Sequence, residues 1–208
     1  MAEPEEKPKA IFISGFNSAP LAPDQDMIVH GKGKEFQTGL DALAKLAEGK
    51  LHLSLSAKSK ASDVFTKSKK VELHYFNGPH PAGNVGIQIH HIDPINKGEV
   101  VWYLNPQQVL TIGRLFLEGK YNPERIVALT GSEIKKTGYY KTIIGASIEE
   151  MVKNNTTDET LRYISGNVLT GKKIRKDGYI GYYDDQVTVI PEGNYYEFFG
   201  WAKPGLNK

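Results

Sequence analysis

Imidazole and carboxylate side chains gather in one stretch, FNGPHPAGNVGIQIHHIDP (Phe76 to Pro94), which holds three of the chain's six histidines together with three Pro and three Gly. His80, His90, His91 and Asp93 offer the nitrogen and oxygen donors of a zinc-type site. Their spacing argues against one. Ligands on one helical face recur at i, i+4 and on one strand at i, i+2, whereas adjacent His90 and His91 diverge in either element. The expectation is therefore polar histidines near a helix end, and no metal.

Other chemistry is imitated and then withdrawn. GKGK (Gly31 to Lys34) resembles a phosphate cradle, but it lacks a third Gly and follows a long loop where a strand is required, so a loop leading into a helix is expected. GNVLTGKK (Gly166 to Lys173) imitates a Walker loop, yet Lys173 stands where a Mg²⁺-binding Ser or Thr belongs, and no helical pattern follows. The aromatic run Tyr179, Tyr182, Tyr183, Tyr195, Tyr196, Phe198, Phe199 and Trp201 has the composition of a stacking platform. Strand alternation is expected to bury about half of it, in core and interface. No Ser/His/Asp order, paired-carboxylate motif or HExxH is legible, so no catalytic residue is assigned.

Composition narrows the classes further. With 39% hydrophobic and 24% charged residues, the 208-residue chain is ordinary for one or two globular domains. A net charge of +2 supplies no field that would argue for nucleic acid as the partner. Zero Cys removes disulfides, thiolate nucleophiles and cysteine-held iron–sulfur clusters. No apolar run reaches the roughly 20 residues of a membrane span, and the acidic, Pro-containing MAEPEEKPK is unlike a signal peptide, so a cytoplasmic chain is expected. The sequons at Asn154 and Asn155 then read as polar loop.

The elements that must position these groups follow from periodicity. AIFIS (Ala10 to Ser14) suits a buried strand. Phe36, Leu40, Leu43, Ala44 and Ala47 mark one helix face, with Gly49 expected as its left-handed C-terminal residue. Leu51, Leu53 and Leu55 alternate with His52 and Ser54, and Val71, Leu73 and Tyr75 with Glu72 and His74, giving two half-buried strands around a mobile Lys- and Ser-rich connection, Lys58 to Lys70. In the opening stretch, Pro79 and Pro81 fix a turn near Gly83. Val85, Ile89 and Ile92 then face the sheet from a helix that Asp93-Pro94 stops, the rival being an edge strand through Val85, Ile87 and Ile89. VVWYL is a strand, and Asn105-Pro106 opens a helix that ends at Gly119. RIVALTG (Arg125 to Gly131) is expected as the last strand of this first, mostly parallel sheet. Beyond it, Ser147 and Glu150 suggest a capping box, Asn154 to Glu159 a polar insert, and Val187 and Val189 the inward face of a small mixed sheet on the β-grasp plan.

GPHPAGNVGIQIHHIDP, VVWYLNPQQVLTIGRLFLEGK, RIVALTG, YISGNVLTG, VIPEG and FGWAKPGL, in this order along nearly the whole chain, resemble the NqrA family, the NqrA subunits of the Na⁺-translocating NADH:quinone reductases. The resemblance implies an α/β chain, with a Rossmann-like layered domain at 10–131 followed by a small soluble-ligand-binding (SLBB-type) β-grasp domain at 133–208. It also implies an internal fragment, because the family's lipoyl-like N-terminal domain and its C-terminal region have no counterpart here. The family is similar in architecture to the NADH-binding flavoprotein subunit of complex I, whose Gly-rich loop and cluster cysteines this chain lacks. The implied role is that of a peripheral subunit on the cytoplasmic side of the bacterial inner membrane, in a Na⁺-pumping oxidoreductase. There it would contribute quinone interaction and docking to the other subunits, especially the membrane ones, with no catalysis by the fragment alone. Quinone is then the expected ligand, and flavins and the iron–sulfur cluster belong to partner subunits. The alternatives are a nucleotide- or flavin-binding domain like the complex I relative, or a structural adaptor. The turn before Val85 points its N–H groups to where that relative binds its ligand, which makes His80, Gly83 and Asn84 the ligand-binding candidates.

Overall fold

The computed structural model describes residues 3, 5–157, 160–194, 196 and 198–202. Two layered units follow one another. In the first, strands β1 (Ala10–Ser14), β2 (Leu51–Ser56), β3 (Glu72–Phe76) and β4 (Val101–Leu104) form a wholly parallel sheet in the order β3-β2-β1-β4. Helices α1 (Gln25–Val29), α2 (Gly33–Leu43), α3 (Asp63–Thr66) and α5 (Pro106–Glu118) pack on one face, and α4 (Val85–Ile92) covers the other. Period-2 alternation decides which residue goes where: Ile11 and Ile13 point to Phe36, Leu40 and Val109, while Ala10 and Phe12 point to Ile89.

α5 is specified locally. The Asn105 side chain accepts from the N–H of Gln108 at 2.9 Å, while the Gln108 amide oxygen accepts from the N–H of Asn105 at 2.8 Å, a full capping box with Pro106 just inside it. Gly119 ends the helix at φ +66°. α4 forms as the Val85, Ile89, Ile92 spacing requires, so the edge-strand rival is excluded.

The second unit contains β5 (Glu124–Thr130), β6 (Gly138–Ile143), β7 (Leu161–Ser165), β8 (Lys172–Ile174) and β9 (Gln186–Pro191) in the order β6-β5-β9-β7-β8. Its pairing is mixed: β5 and β9 are parallel, the other neighbours antiparallel. The short helix α6 (Glu149–Val152), with Ile148 ahead of it, buries Ile148, Met151 and Val152 against Val127, Leu129, Val187 and Val189. An α/β chain with a layered parallel unit followed by a small mixed β unit is thus what forms.

Several local expectations are corrected. RIVALTG does not close the first sheet: β5 pairs with β6 and β9, so the chain crosses to the second sheet before Glu124, not after Gly131. His52 and Ser54 are not on a solvent face but buried, because His52 stacks on Phe12 with ring centroids 4.9 Å apart. Lys58 to Lys70 is not a featureless connection; Ser62 caps α3 and Phe65 is fully buried against Phe36. Such a side chain contributes about 1.5–3 kcal/mol through apolar area removed from water. Gly49 does not take a left-handed conformation. It is needed because the chain passes close to the carbonyl oxygen of Lys9. The Ser147–Glu150 capping box does not form; Ser147 Oγ accepts from the N–H of Glu149 at 3.2 Å, and Glu150 pairs with Lys153. Asp158 and Glu159 of the polar insert, Tyr195 of the aromatic run, and residues 203–208 of the second domain lie outside the described residues.

α2 and α5 cross backbone to backbone at Gly39 and Gly113, where a Cβ on Gly113 would run into the carbonyl oxygen of Glu35. Gly113→Ala should therefore destabilise the protein by about 1–3 kcal/mol, as overpacked cores do. Gly86→Ala, in α4 with open space beside it, should stabilise by up to about 1 kcal/mol through helix propensity. Urea denaturation of both variants checks the opposite signs.

Candidate functional site

The connections from β1 to β2 run over one face of the first sheet, and the connection from β3 to β4 runs over the other, delivering β4 to the far side of β1. The carboxyl ends of β1 and β4 therefore flank a topological switch point, where open α/β sheets bind ligands. A crevice of about 410 Å³ lies there. Ser14 and Asn17 at and after the end of β1, Leu104 and Asn105 at and after the end of β4, and the start of α4 form one wall. The second unit closes the other with Asn167, Thr170, Tyr183 and Asp185.

All three sequence candidates line this crevice, but they are not equally free. Ser18 accepts from the N–H of Gly83 at 2.8 Å, and its hydroxyl also meets His80 Nδ1 at 3.1 Å. Gln88, buried in α4, donates to the carbonyls of Phe16 and Gly83 at 3.1 and 3.3 Å. The two loops that would cradle a phosphate are thereby sewn to one another. Gly83 is required for that seam, since a Cβ would strike the backbone nitrogen of Ser18. Asn84 differs. It is exposed, and although it precedes α4 its side chain makes no capping bond.

The second unit's contribution is electrostatic. Gln25 Nε2 donates to Asp185 Oδ2 at 2.9 Å across the junction, and Gln25 Oε1 has no partner among the described residues. Loss of water around Asp185 pushes its carboxyl above the usual carboxylate range, against the opposing pull of the Gln25 hydrogen bond and of the Arg125 charge. Arg125, buried, donates to the carbonyl of Tyr182 at 2.8 Å, and burial lowers its pKa.

The remaining sequence features fall elsewhere. His90 and His91 are exposed at the far end of α4, and Asp93 is paired with Lys9 at 2.7 Å. With His80 at the other end of that helix, the four do not converge. GKGK leads into α2, where Lys32 Nζ donates to the carbonyl of Ile28 at 2.7 Å and burial lowers its pKa. GNVLTGKK is the β7–β8 hairpin, held by Asn167 accepting from the N–H groups of Leu169 and Thr170. Strand alternation does not bury half of the aromatic run: Tyr179, Tyr182, Tyr183, Tyr196, Phe198, Phe199 and Trp201 are all more than half exposed, because they lie in loops, turns and the 3₁₀ turn Gly200–Ala202 and not in strands.

One cluster has no counterpart among the sequence motifs. His52 on β2 and Glu72 and His74 on β3 occupy one face in parallel register, with His52 Nδ1 3.0 Å from His74 Nε2 and 3.7 Å from Glu72 Oε2. Burial lowers the pKa of His52, with the His74 charge adding to it, and burial lowers that of His74. The i, i+2 spacing of Glu72 and His74 signals a shared strand face, but it does not reveal which strand lies beside it.

Comparison with known proteins follows the same division. Residues 1–121 match the family described as NqrA second alpha/beta domain, and residues 126–176 the one described as NQRA C-terminal domain. The NqrA subunits of the Na⁺-translocating NADH-quinone reductases of Neisseria meningitidis serogroup B and Vibrio alginolyticus are 38% and 39% identical over 98% of this chain. That of Vibrio anguillarum is 40% identical over the same share. The chain spans 45% of the length of each of these relatives. The crystal structure of an NAD⁺-reducing [NiFe]-hydrogenase in the H₂-reduced state superposes on 90% of this chain and 41% of its own, with a TM-score of 0.57 and 11% identity, which is a likeness of fold.

The raised Asp185 sets a pH dependence. An acid favoured as neutral in the folded state stabilises that state at low pH. The contribution fades as pH rises from the ordinary value of 3.8 through the raised one. Melting temperatures of wild type and Asp185→Asn should therefore diverge across this window, the wild type losing ground as pH rises. Parallel curves would show that Asp185 titrates as an ordinary carboxyl.

Proposed function

The chain belongs to the NqrA family, and from that premise we propose that it supplies a quinone-interacting and subunit-docking part of a membrane-bound, Na⁺-pumping NADH:quinone oxidoreductase. Flavin and iron–sulfur chemistry is assigned to its partner subunits, and this chain contributes no redox group. The names of the relatives carry the assignment to the enzyme. The observation that supports the ligand class is the crevice itself: a switch-point site whose phosphate cradle is closed by Ser18 and whose free group is a neutral amide, Asn84. A quinone head is flat and uncharged, with two carbonyl acceptors. It needs an N–H or O–H donor and aromatic walls, which Asn84, Tyr103 and Tyr183 can provide.

Docking is supported by surface composition. Tyr196, Phe198 and Trp201 are 102%, 84% and 86% exposed, an apolar cost that a partner surface would remove. No helix among the described residues is long and apolar enough to cross a membrane, which fits a peripheral subunit on the cytoplasmic side of the bacterial inner membrane held by such contacts. The nucleotide-binding reading keeps one observation in its favour, the switch-point location, and it predicts a different titration.

Addition of a short-chain ubiquinone should shift the NMR resonances of the Asn84 side-chain amide and Tyr183 saturably at micromolar concentration, and Asn84→Leu should weaken binding by about tenfold, the worth of one hydrogen bond. FMN and NADH at the same concentrations should leave these resonances in place. Micromolar binding of either nucleotide would reverse the assignment in favour of the flavoenzyme reading.

A further inference from the structure

We propose that His52 Nδ1, His74 Nε2 and Glu72 Oε2 form a binding site for a divalent transition-metal ion of the zinc class, with one coordination position left to solvent. The cluster lies on β2 and the edge strand β3, apart from the switch-point crevice and from every histidine that the sequence pattern singled out. Its three ligand atoms lie within 4.8 Å of one another. A tetrahedral zinc ion with bonds near 2.0–2.1 Å requires neighbouring donors about 3.3 Å apart. The observed separations of 3.0 Å for His52 to His74 and 3.7 Å for His52 to Glu72 bracket that edge.

The surroundings prepare the site. His52 pairs directly with Glu72 in the ladder and Ser54 with His74, so two hydrogen-bonded strands fix the spacing of all three side chains. The His52 ring stacks on Phe12 at an interplanar angle of 25°, which sets its plane. Lys50 Nζ binds Glu72 Oε1 at 2.5 Å and leaves Oε2 turned toward the imidazoles. The Glu72 side chain is 44% exposed, so an ion can reach it from solvent. Two imidazoles and one carboxylate suit zinc, copper or nickel. Calcium and magnesium prefer oxygen throughout. Bound there, the ion would clip β3, which pairs on one side only, to the interior of the sheet.

Calorimetric titration of the metal-stripped protein with ZnCl₂ should show one equivalent bound at micromolar affinity or better. Binding should weaken by about tenfold or more in His74→Ala and in Glu72→Gln, both on the edge strand where folding tolerates change. The double variant His90→Ala, His91→Ala should bind as wild type does. Cobalt(II) in place of zinc should give the intense visible absorption of a tetrahedral site. Absence of saturable zinc binding, or affinity unchanged by both ligand substitutions, would overturn the proposal. Should either ligand variant unfold, the wild type decides: ZnCl₂ must shift the imidazole NMR resonances of His52 and His74 saturably, and unmoved resonances there count against the site.

Discussion

A side-chain amide that takes the place of a strand neighbour leads the contacts by which the two units face one another. Gln107, buried in the first turn of α5, donates from Nε2 to the carbonyl of Ile126 at 2.9 Å and accepts from the N–H of Ile126 at 2.8 Å. β5 pairs with β6 along one edge, but on the other edge β9 begins only opposite Ala128. Without Gln107, the Ile126 backbone would lose both of these hydrogen bonds, each worth about 0.5–1.5 kcal/mol net. The amide acts as a one-residue strand. It is reinforced nearby by Arg114 donating to the carbonyl of Glu124 at 2.9 Å and by Gln186 donating to that of Pro20 at 3.2 Å. Because the crevice takes one wall from each unit, this junction sets its width.

What could be read from the chain alone follows the range of the interactions involved. The capping box at Asn105 and Gln108, the stop at Gly119 and the α4 face at Val85, Ile89 and Ile92 are decided within a few residues, and they are legible. The sheet to which β5 belongs depends on β9, more than fifty residues later, so an apolar run such as RIVALTG looks the same in either sheet. Burial of His52 and Ser54 likewise depends on Phe12 and α4 covering that face, which the alternation of Leu51, Leu53 and Leu55 does not report. The candidate site was half legible. His80, Gly83 and Asn84 belong to one local turn, but Asn167, Tyr183 and Asp185 come from the other unit and carry no signal in their own neighbourhoods.

The residues around the switch-point crevice limit what it could hold. A dinucleotide cradle needs glycine at the strand-to-helix turn so that backbone N–H groups can close on a pyrophosphate. Here a Cβ on Gly15 would press against the carbonyl oxygen of Ser54 at 2.9 Å, so this glycine serves the packing of β1 against β2. Gly83 in turn gives its N–H to Ser18. Both glycines are consumed by contacts within the protein. The hydroxyl of Ser18 occupies the hydrogen-bonding role that a phosphate oxygen would otherwise take, and it ties the two loops to one another.

Charge argues in the same direction. Among the groups that line the crevice, the titratable one with a displaced pKa is Asp185, whose own burial penalises its charged form. Arg125 does not line the crevice: it donates to the carbonyl of Tyr182 and lines a neighbouring cavity. A pyrophosphate would thus enter beside a carboxyl that is already costly to ionise, with no glycine nest to receive it. A neutral, flat molecule with carbonyl acceptors meets neither penalty. It would hydrogen-bond to an amide and rest on phenol rings, contacts that need no charge to be neutralised.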